Sequence, residues 1–524
     1  MTAGPVATQR PGERAGRAGF APVLRAEWTK FRTVRGWVIG MAAAALVTVL
    51  AGLLAASGTR VSCRGPGGQA CRYLPSVPVG PGGEPVTDNF YFVHQPLTGN
   101  GSITVRVTAL TGIITYPQSN PNAIVPGVEP WAKAGIIIKQ NTGQGSAYAA
   151  VMVTGRHGVR MQYNYTHDEA GWPGGVSAAS PRWLRLTRSG DTITGYQSAD
   201  GTHWTTVGTA TLAGLSSTVQ TGLFVTSPGD VQVSQGAGGG SQVHFTQASA
   251  VFDQVSLRGK SSGAWRGDAI GGGGHTDWER NHRPAGVEQS GGTFTVTGSG
   301  DIAPVVDGGS GIERTLIGAL AGLIAVIVVA TLFITAEYRR GLIRTTLAAS
   351  PRRGRVLAAK AVVIGSATFA AGLAATALAI PLGERILRAN GNHIVPVTAL
   401  TELRLMAGTA ALLAVAAVLA LAVGATLRRS AATVAAVLAV IVLPYVLAVA
   451  SILPAGVSAW LLRLTPAAAF AIQQTLPQYP QVSSAYTPAN GYYPLAPWAG
   501  FAVLCGYAAL ALILAVFLLR KKDA

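Results

Sequence analysis

Residues 315–335 read TLIGALAGLIAVIVVATLFIT, with no charged side chain among them. At about 1.5 Å per residue in an α-helix, such a segment reaches about 30 Å, the thickness of the hydrocarbon core of a bilayer. The chain then becomes basic, AEYRRGLIRTTLAASPRRGR at 336–355, before a second apolar run begins at Val356. This stretch predicts a membrane helix, a short cationic connector and a returning helix. Short loops rich in Arg and Lys stay in the cytoplasm, which places the connector there.

Charge alone indicates no more than an ordinary cytoplasmic loop, but the order of residues in the connector is more specific. EYRRG at 337–341, TTL at 345–347, SPRR at 350–353 and Lys360 resemble the type-2 ABC exporter permeases. In that family this connector is a coupling helix that docks on a separate ATPase subunit. The resemblance implies that the docking residues are Glu337, Tyr338, Arg339, Arg340, Arg344, Ser350, Pro351 and Arg352.

Composition supports a membrane protein. The chain has 524 residues, of which 49% are hydrophobic and only 12% charged. Its net charge of +18 suggests nucleic-acid binding until the charges are mapped: of 40 basic and 22 acidic side chains, 16 and 15 lie in 58–312, leaving 24 and 7 elsewhere. The excess therefore follows the membrane topology and attracts anionic lipid headgroups, and no nucleic-acid partner is predicted.

Apolar runs and charged ends together predict six transmembrane helices, with both termini cytoplasmic and one large extracellular domain inserted between helices 1 and 2. The segment LRAEWTKFRTVRGW at 24–37 is again similar to the start of the permeases. The predicted organisation is a disordered arm (1–19), an interfacial helix with span one (20–57), the β domain (58–312), span two (313–336), the coupling segment (337–355), spans three to five (356–382, 403–427, 430–453), a re-entrant segment (457–476), span six (497–519) and a cytoplasmic tail (520–524).

The exported block is predicted to be all-β. Ser102–Thr108 alternates apolar and polar residues, and so does Arg182–Arg188, where Trp183 and Arg185 face away from Leu184 and Leu186. Asp200-Gly201 marks a hairpin. Many short strands separated by turn signals indicate a two-sheet sandwich, and a Gly-rich tether (271–275) is expected to give it freedom relative to the helices.

Three further motifs in this block, WAKAGI at 131–136, PRWLRL at 181–186 and GYQSADGTHW at 195–204, resemble concanavalin A-like jelly-roll domains. That superfamily binds or cleaves glycans. A retaining glycosidase needs two carboxyls about 5–5.5 Å apart, yet no Glu-x-Asp-x-Glu is present, and Asp168 and Glu169 are adjacent. A binding or structural module is therefore favoured over an enzyme. Its candidate ligand-binding residues are Trp183, Tyr196 and Trp204, although aromatic residues on a sheet also serve as core.

Two cysteines, Cys63 and Cys71, lie in a Gly/Pro-rich stretch of the exported block and predict a disulfide, because the compartment outside the membrane is oxidising. No metal site and no cofactor are predicted.

These features favour a non-enzymatic permease subunit of an ATP-driven exporter in the plasma membrane, with a lectin-like extracellular domain. Its expected partners are an ABC ATPase, a second permease subunit, membrane lipid and a cell-surface glycan. The alternative is a polytopic glycan receptor or adhesin without transport, which explains the β domain but not the pattern from Glu337 to Lys360.

Overall fold

The computed structural model of the chain describes residues 19–59, 77–115, 123–233, 241–271, 284–306, 311–339, 352–392 and 394–521. Some predictions concern residues outside these ranges. They are most of the arm 1–19 and the tail 520–524, the Cys63–Cys71 disulfide, and the coupling residues Arg340, Arg344, Ser350 and Pro351.

Eight α-helices occur in the described part of the chain, and six of them are long and apolar enough to cross a membrane: α2, α3 together with the 3-10 turn before it, α4, α5, α6 and α8. The bounds are α1 Phe20–Thr33, α2 Arg35–Gly58, α3 Gly318–Arg339, α4 Arg353–Ala389, α5 Ala399–Leu427, α6 Ser430–Val449, α7 Ala455–Leu464 and α8 Pro497–Lys521. Three 3-10 segments, Ile312–Leu316, Pro466–Gln473 and Pro488–Asn490, complete the helical elements.

Helices α3 and α5 form the centre of the bundle. Of the most apolar stretch of each helix, 61% of the residues in α3 and 67% of those in α5 are buried inside the protein. Helix α2 packs closely on α3 because glycines remove side chains from the contact. A Cβ atom on Gly318 would lie 2.0 Å from the carbonyl oxygen of Thr48, and one on Gly52 would lie 2.2 Å from that of Thr315. Any larger residue at either glycine would force these two helices apart.

The segment predicted to be re-entrant forms two short helical elements with a sharp bend between them. Helix α7 and the 3-10 segment Pro466–Gln473 meet at an angle of 98°. Thr465 between them has an extended backbone, and Pro466 begins the second element, where its missing N–H leaves no hydrogen bond unmade. Every residue of Pro466–Gln473 is buried, and Phe470 stacks on Tyr445 of α6 with ring centroids 3.9 Å apart.

All the described strands fall between α2 and α3 in the sequence. Their bounds are β1 Val86–Asp88, β2 Phe90–Thr115, β3 Ile124–Pro126, β4 Lys133–Lys139, β5 Tyr148–Thr154, β6 Val159–Tyr163, β7 His167–Ala170, β8 Arg182–Ser189, β9 Thr192–Ser198, β10 Thr205–Thr211, β11 Thr218–Thr226, β12 Asp230–Val233, β13 Ser241–His244, β14 Thr246–Ser261, β15 Arg266–Ile270, β16 Gly286–Ser290, β17 Thr293–Gly298 and β18 Ile302–Pro304.

The long strand β2 organises the domain, because its two halves pair with different strands. Residues 91–98 pair with β11, whereas residues 101–107 pair with β8, and both halves pair with β14 or β15 on the other edge. Two antiparallel layers result, β7-β6-β5-β4-β11-β2-β15 and β10-β9-β8-β2-β14-β17-β16. Their inward side chains, among them Val105, Ile136, Leu186, Leu223 and Phe252, form one buried core. The predicted combination of six apolar helices and an all-β sandwich is confirmed.

The outer face of the first layer is also covered. β1 and β18 pair with each other, and a second buried cluster that includes Phe92, Tyr148 and Phe224 fills this face. Two lysines with fully buried side chains are neutralised there: Lys139 Nζ lies 2.7 Å from Asp88 Oδ2, and Lys133 Nζ lies 2.5 Å from Asp301 Oδ1. This face of the sheet is therefore packed protein rather than an open groove.

The β domain rests on the segment between Pro466–Gln473 and α8. Ala303 and Val306 pack against Val482 and Tyr492, and Glu129 Oε1 accepts a hydrogen bond from Ser483 Oγ at 2.6 Å. The predicted Gly-rich tether lies outside the described residues except for Gly271, so its expected freedom stays a prediction. Aromatic and aliphatic side chains of the loop cover the end of the domain, a contact that the sequence pattern did not show.

Candidate functional site

A cluster of four charged side chains, three of them buried, joins three helices at the end of the bundle opposite to the β domain. Lys360, one turn into the apolar part of α4, places its Nζ 2.6 Å from Glu27 Oε2 on α1 and 2.6 Å from Glu337 Oε1 near the end of α3. The side chain of Lys360 is 1% exposed and that of Glu27 is 2% exposed. We call Glu27, Lys30, Glu337 and Lys360 the ion cluster.

Lys30 is the fourth member and lies at the edge of the ion cluster. Its Nζ is 2.8 Å from Glu27 Oε1 and 3.3 Å from Glu337 Oε1, and its side chain is 42% exposed. Burial lowers the pKa of Lys30, but hydrogen bonds and charge from Glu27 and Glu337 outweigh that effect and raise it. Two ammonium groups thus face two carboxylates, and the cluster as a whole is neutral.

Aromatic rings separate the ion cluster from the rest of the bundle. Lys360 Nζ lies 5.0 Å from the ring centre of Phe333, and Phe31 and Trp37 contact the same ring edge-on at 5.9 and 5.7 Å. A low-dielectric wall of this kind strengthens ion pairs, and it makes an unpaired charge costly. Glu337 Oε2 is buried and accepts no hydrogen bond from any described residue, so within that part of the chain this acid has an unused acceptor.

The neighbouring residues predicted from the sequence are partly in place. Tyr338 lies below the guanidinium of Arg428, which is 5.2 Å from its ring centre, and its hydroxyl is 3.5 Å from the carbonyl oxygen of Ala425. Arg339 at the end of α3 and Arg352 just before α4 are exposed. The ends of α3, α4 and α5 are thus linked on the side where the coupling segment leaves the bundle.

The three aromatic residues predicted to bind a ligand do share one face of the sandwich. Trp183 and Arg185 point outward from β8, Tyr196 lies opposite Arg185 on β9, and the guanidinium of Arg185 stacks 3.8 Å above the ring of Trp204. All three aromatic side chains are half-buried. The structure therefore forms a shared aromatic and cationic surface, here called the tryptophan face.

A glycine turn and an ion pair hold the tryptophan face in place. The hairpin predicted at Asp200-Gly201 is confirmed, and Gly201 adopts φ +77°, a conformation open to glycine. A Cβ atom at this position would lie 2.9 Å from the ring of Trp183, so only glycine lets the turn pack there. Arg106, 5.7 Å above Trp183, is held by Asp253 through two hydrogen bonds of 2.7 and 2.6 Å.

The family model described as ABC-2 family transporter protein matches residues 191–524. It spans the last part of the β domain and every helix from α3 onward. The chain belongs to the ABC-2 transporter family. The resemblance seen in the connector is thereby confirmed, and this ABC-2 protein is a multi-pass membrane component of an ABC transport system.

Comparison with other proteins adds little about the β domain of this ABC-2 protein. No curated protein matches. Among solved structures, a functionally unknown protein from Saccharomyces cerevisiae is 16% identical, with a TM-score of 0.21, and the match covers 33% of this chain and 75% of the other. Scytalido-glutamic peptidase in complex with a peptide-based transition-state analogue is 8% identical, with a TM-score of 0.23 and coverage of 42% and 100%. Scores this low do not establish a common fold.

Sequence reasoning identified Glu337 and Lys360 in this ABC-2 protein but missed their partner Glu27. The available signal was local: Glu27 and Lys30 are three residues apart and therefore neighbours on one helical face. An acid within a basic, aromatic interfacial helix has no obvious reason to be there unless it pairs. The contact that explains it, between Glu27 and Lys360, joins residues 333 positions apart.

Proposed function

We propose that this chain is the permease subunit of an ATP-driven exporter and that the ion cluster transmits motion from the coupling segment 337–355 to the membrane helices. The observation that carries the proposal is the position of Glu337. It is the first residue of the coupling segment, and its carboxylate contacts α4 through Lys360 and α1 through Lys30. A displacement of the connector by a docked ATPase would therefore reach both helices through short charged contacts.

The ion cluster suits this role better than an apolar contact would. Its charged hydrogen bonds are few, depend on direction and are shielded from water. A small displacement of Glu337 therefore changes their interaction energy strongly. The spare acceptor of Glu337 Oε2 offers a contact for a donor that arrives with the ATPase or with the connector. Each transporter is proposed to contain two such permease subunits and two ATPase subunits. Exposed apolar rows on α2 and α8, including Leu50, Leu54 and Leu510, face lipid or the second copy.

The test uses the complex that co-purifies with the full-length chain, in which an ABC ATPase subunit is expected. Glu337→Gln keeps the shape of the side chain and removes its charge. Since a hydrogen bond to a charged group contributes about 1.5–3 kcal/mol, ATP hydrolysis by the complex is expected to fall by about tenfold. The ATPase should still co-purify.

Glu384→Gln serves as the matched control. Glu384 is also on α4 but near its other end, where it forms an ion pair with exposed Arg388 at 3.5 Å. Such a pair contributes little, so hydrolysis should match that of the unaltered complex. Unchanged hydrolysis in Glu337→Gln would show that the ion cluster is structural only. A chain that captures no ATPase would favour the alternative, a glycan receptor without transport.

We further propose that the β domain lies outside the cell, with both termini cytoplasmic, and that its tryptophan face binds cell-surface glycan as a lectin-like module. Its location rests on the clustering of Arg and Lys at the opposite end of the bundle. The binding role is supported by the indole of Trp204 and the ring of Tyr196, since aromatic faces pack against sugar rings, and by Arg185, which favours anionic saccharides. The jelly-roll relationship remains part of this proposal.

One cysteine variant tests both statements. Thr187→Cys, in a chain lacking the native cysteines, places a thiol two residues beyond Arg185 on the same strand face. An impermeant thiol reagent should label intact cells, and cell-wall polysaccharide should slow the labelling. Labelling only after permeabilisation would contradict the orientation. Labelling that polysaccharide does not slow would leave the orientation standing and remove the lectin role.

A further inference from the structure

A cavity of about 300 Å³ lies where α3 begins, at the end of the bundle that carries the β domain and far from the ion cluster. Its walls come mainly from the 3-10 segment before α3 with the start of α3, the end of α6 and the loop before α8, and Val306 of the β domain and Gln473 also line it. The side chains that matter for its chemistry are Glu313, Arg314, Ile317, Val446, Gln473 and Tyr493.

The cavity is lined mostly by apolar side chains, and two residues of opposite charge lie among them. Glu313 accepts a hydrogen bond from the hydroxyl of Thr475, and Gln473 and Tyr493 are buried beside it. Arg314, the next residue, is half-buried and lines the same cavity. Within the described ranges, no cationic side chain forms an ion pair with Glu313 and no carboxylate forms one with Arg314. Glu313 and Arg314 therefore line one cavity without a close ion-pair contact, although the charge of Arg314 acts on Glu313.

The rim of the cavity is apolar on the side of the helices. Ile317 is 55% exposed and Val446 is 39% exposed, and both belong to helices that cross the membrane. On the other side the rim is formed by exposed Asn490 in the loop. A molecule that enters from between the helices thus meets apolar side chains first and the charged pair further in.

We propose that this cavity binds a zwitterionic amphiphile, with the ammonium group of its head on Glu313, the anionic group on Arg314 and the hydrocarbon chain along Ile317 and Val446. A charge in or near the membrane is costly unless it is paired, and in the described residues neither charge has an ionic partner. A phosphoethanolamine head supplies both complements at once. The inference rests on this cavity alone and does not depend on the coupling proposal.

The experiment measures binding of small probes to the full-length chain in detergent by native mass spectrometry. Dodecyl phosphoethanolamine should bind at least about tenfold more tightly than either 1-dodecanol, which lacks the charges, or free phosphoethanolamine, which lacks the chain. Equal binding of dodecanol would show an apolar cavity with no use for its charges. Equal binding of free phosphoethanolamine would show a site for a soluble ligand. Either result would overturn the proposal.

Two variants that each remove one charge show which residue binds the ammonium group and which binds the phosphate group. Glu313→Gln should weaken dodecylammonium by about tenfold and leave dodecyl phosphate no weaker, and Arg314→Gln should do the reverse. Glu384→Gln, at an exposed ion pair outside the cavity, should change neither. If Glu313→Gln does not fold, Arg314→Gln with the two singly charged probes still decides the question, because equal weakening of both contradicts the assignment. Weakening of neither probe in a folded variant does so as well.

Discussion

Lys360→Met should destabilise the folded protein by about 3–5 kcal/mol. The substitution keeps the length and apolar stem of the side chain but removes an ammonium group that lies 2.6 Å from both Glu27 and Glu337. Those carboxylates have side-chain exposures of 2% and 12%, so water cannot replace the lost partner. Lys30 forms ion pairs with both acids from its half-exposed position. We therefore expect the loss of stability to lie toward the lower end of that range.

Thermal unfolding of the purified full-length chain checks this expectation. The midpoint for Lys360→Met should lie well below that of the unaltered protein, whereas Lys30→Met should shift it little, because an ion pair of a half-exposed lysine contributes at most about 1 kcal/mol. Adding Glu27→Gln to Lys360→Met should restore part of the lost stability, since it removes one of the two uncompensated charges. Equal midpoints for the two lysine variants would show that burial of Lys360 does not determine the energy of the cluster.

The local patterns in the sequence predicted the elements well, and residue types explain why. In β8, the alternation of Trp183 and Arg185 with Leu184 and Leu186 determines which side faces the core, because successive side chains point to opposite sides of a strand. The apolar run 315–335 predicted a span on length alone, and α3 occupies it almost entirely. Such signals depend on near neighbours in the chain, so one sequence is enough to read them.

Contacts between distant segments were the part that one sequence could not supply. Glu27 and Lys360 meet only because α1 lies across the start of α4, and no periodicity in either helix encodes that crossing. The contact between the β domain and the loop before α8 is a second example of a contact between distant segments. The tether at 271–275 predicts a flexible connection, but most of it lies outside the described residues. The contact that holds the domain depends on side chains such as Val482 and Tyr492, in a loop about 200 residues further along the chain.

The contact between the β domain and the loop before α8 contains a buried titratable group, Glu129. Its carboxylate accepts hydrogen bonds from the backbone N–H of Trp131 at 2.5 Å and from the hydroxyl of Ser483 at 2.6 Å. Burial raises the pKa of Glu129 from its ordinary value of 4.5 to about 7, with a further rise from nearby Asp301, and the two hydrogen bonds and Lys133 oppose this only in part. The folded protein, with the β domain in contact with the loop, therefore favours the protonated form of Glu129 more than the unfolded chain does.

The direction of the pH effect follows from which state binds the proton more tightly. Between pH 4.5 and pH 7 the folded state holds a proton on Glu129 that the unfolded chain has released, so stability falls as the pH rises through this window. The contribution is complete below about pH 4.5 and lost above about pH 7, and a change of this size in pKa corresponds to about 3 kcal/mol. Raising the pH from 5 to 8 should therefore loosen the domain from the loop.

Glu129→Gln provides the decisive comparison, because the amide resembles the protonated acid and does not titrate. Thermal unfolding of the full-length chain from pH 5 to pH 8 should show a steeper decline for the unaltered protein than for Glu129→Gln, with the two closest at pH 5. Ser483→Ala should keep the steep decline, since it removes a bond that favours the ionised form and leaves burial in place. Parallel pH curves for the unaltered protein and Glu129→Gln would mean that Glu129 is already ionised at pH 5, and that its contact with Ser483 does not respond to pH.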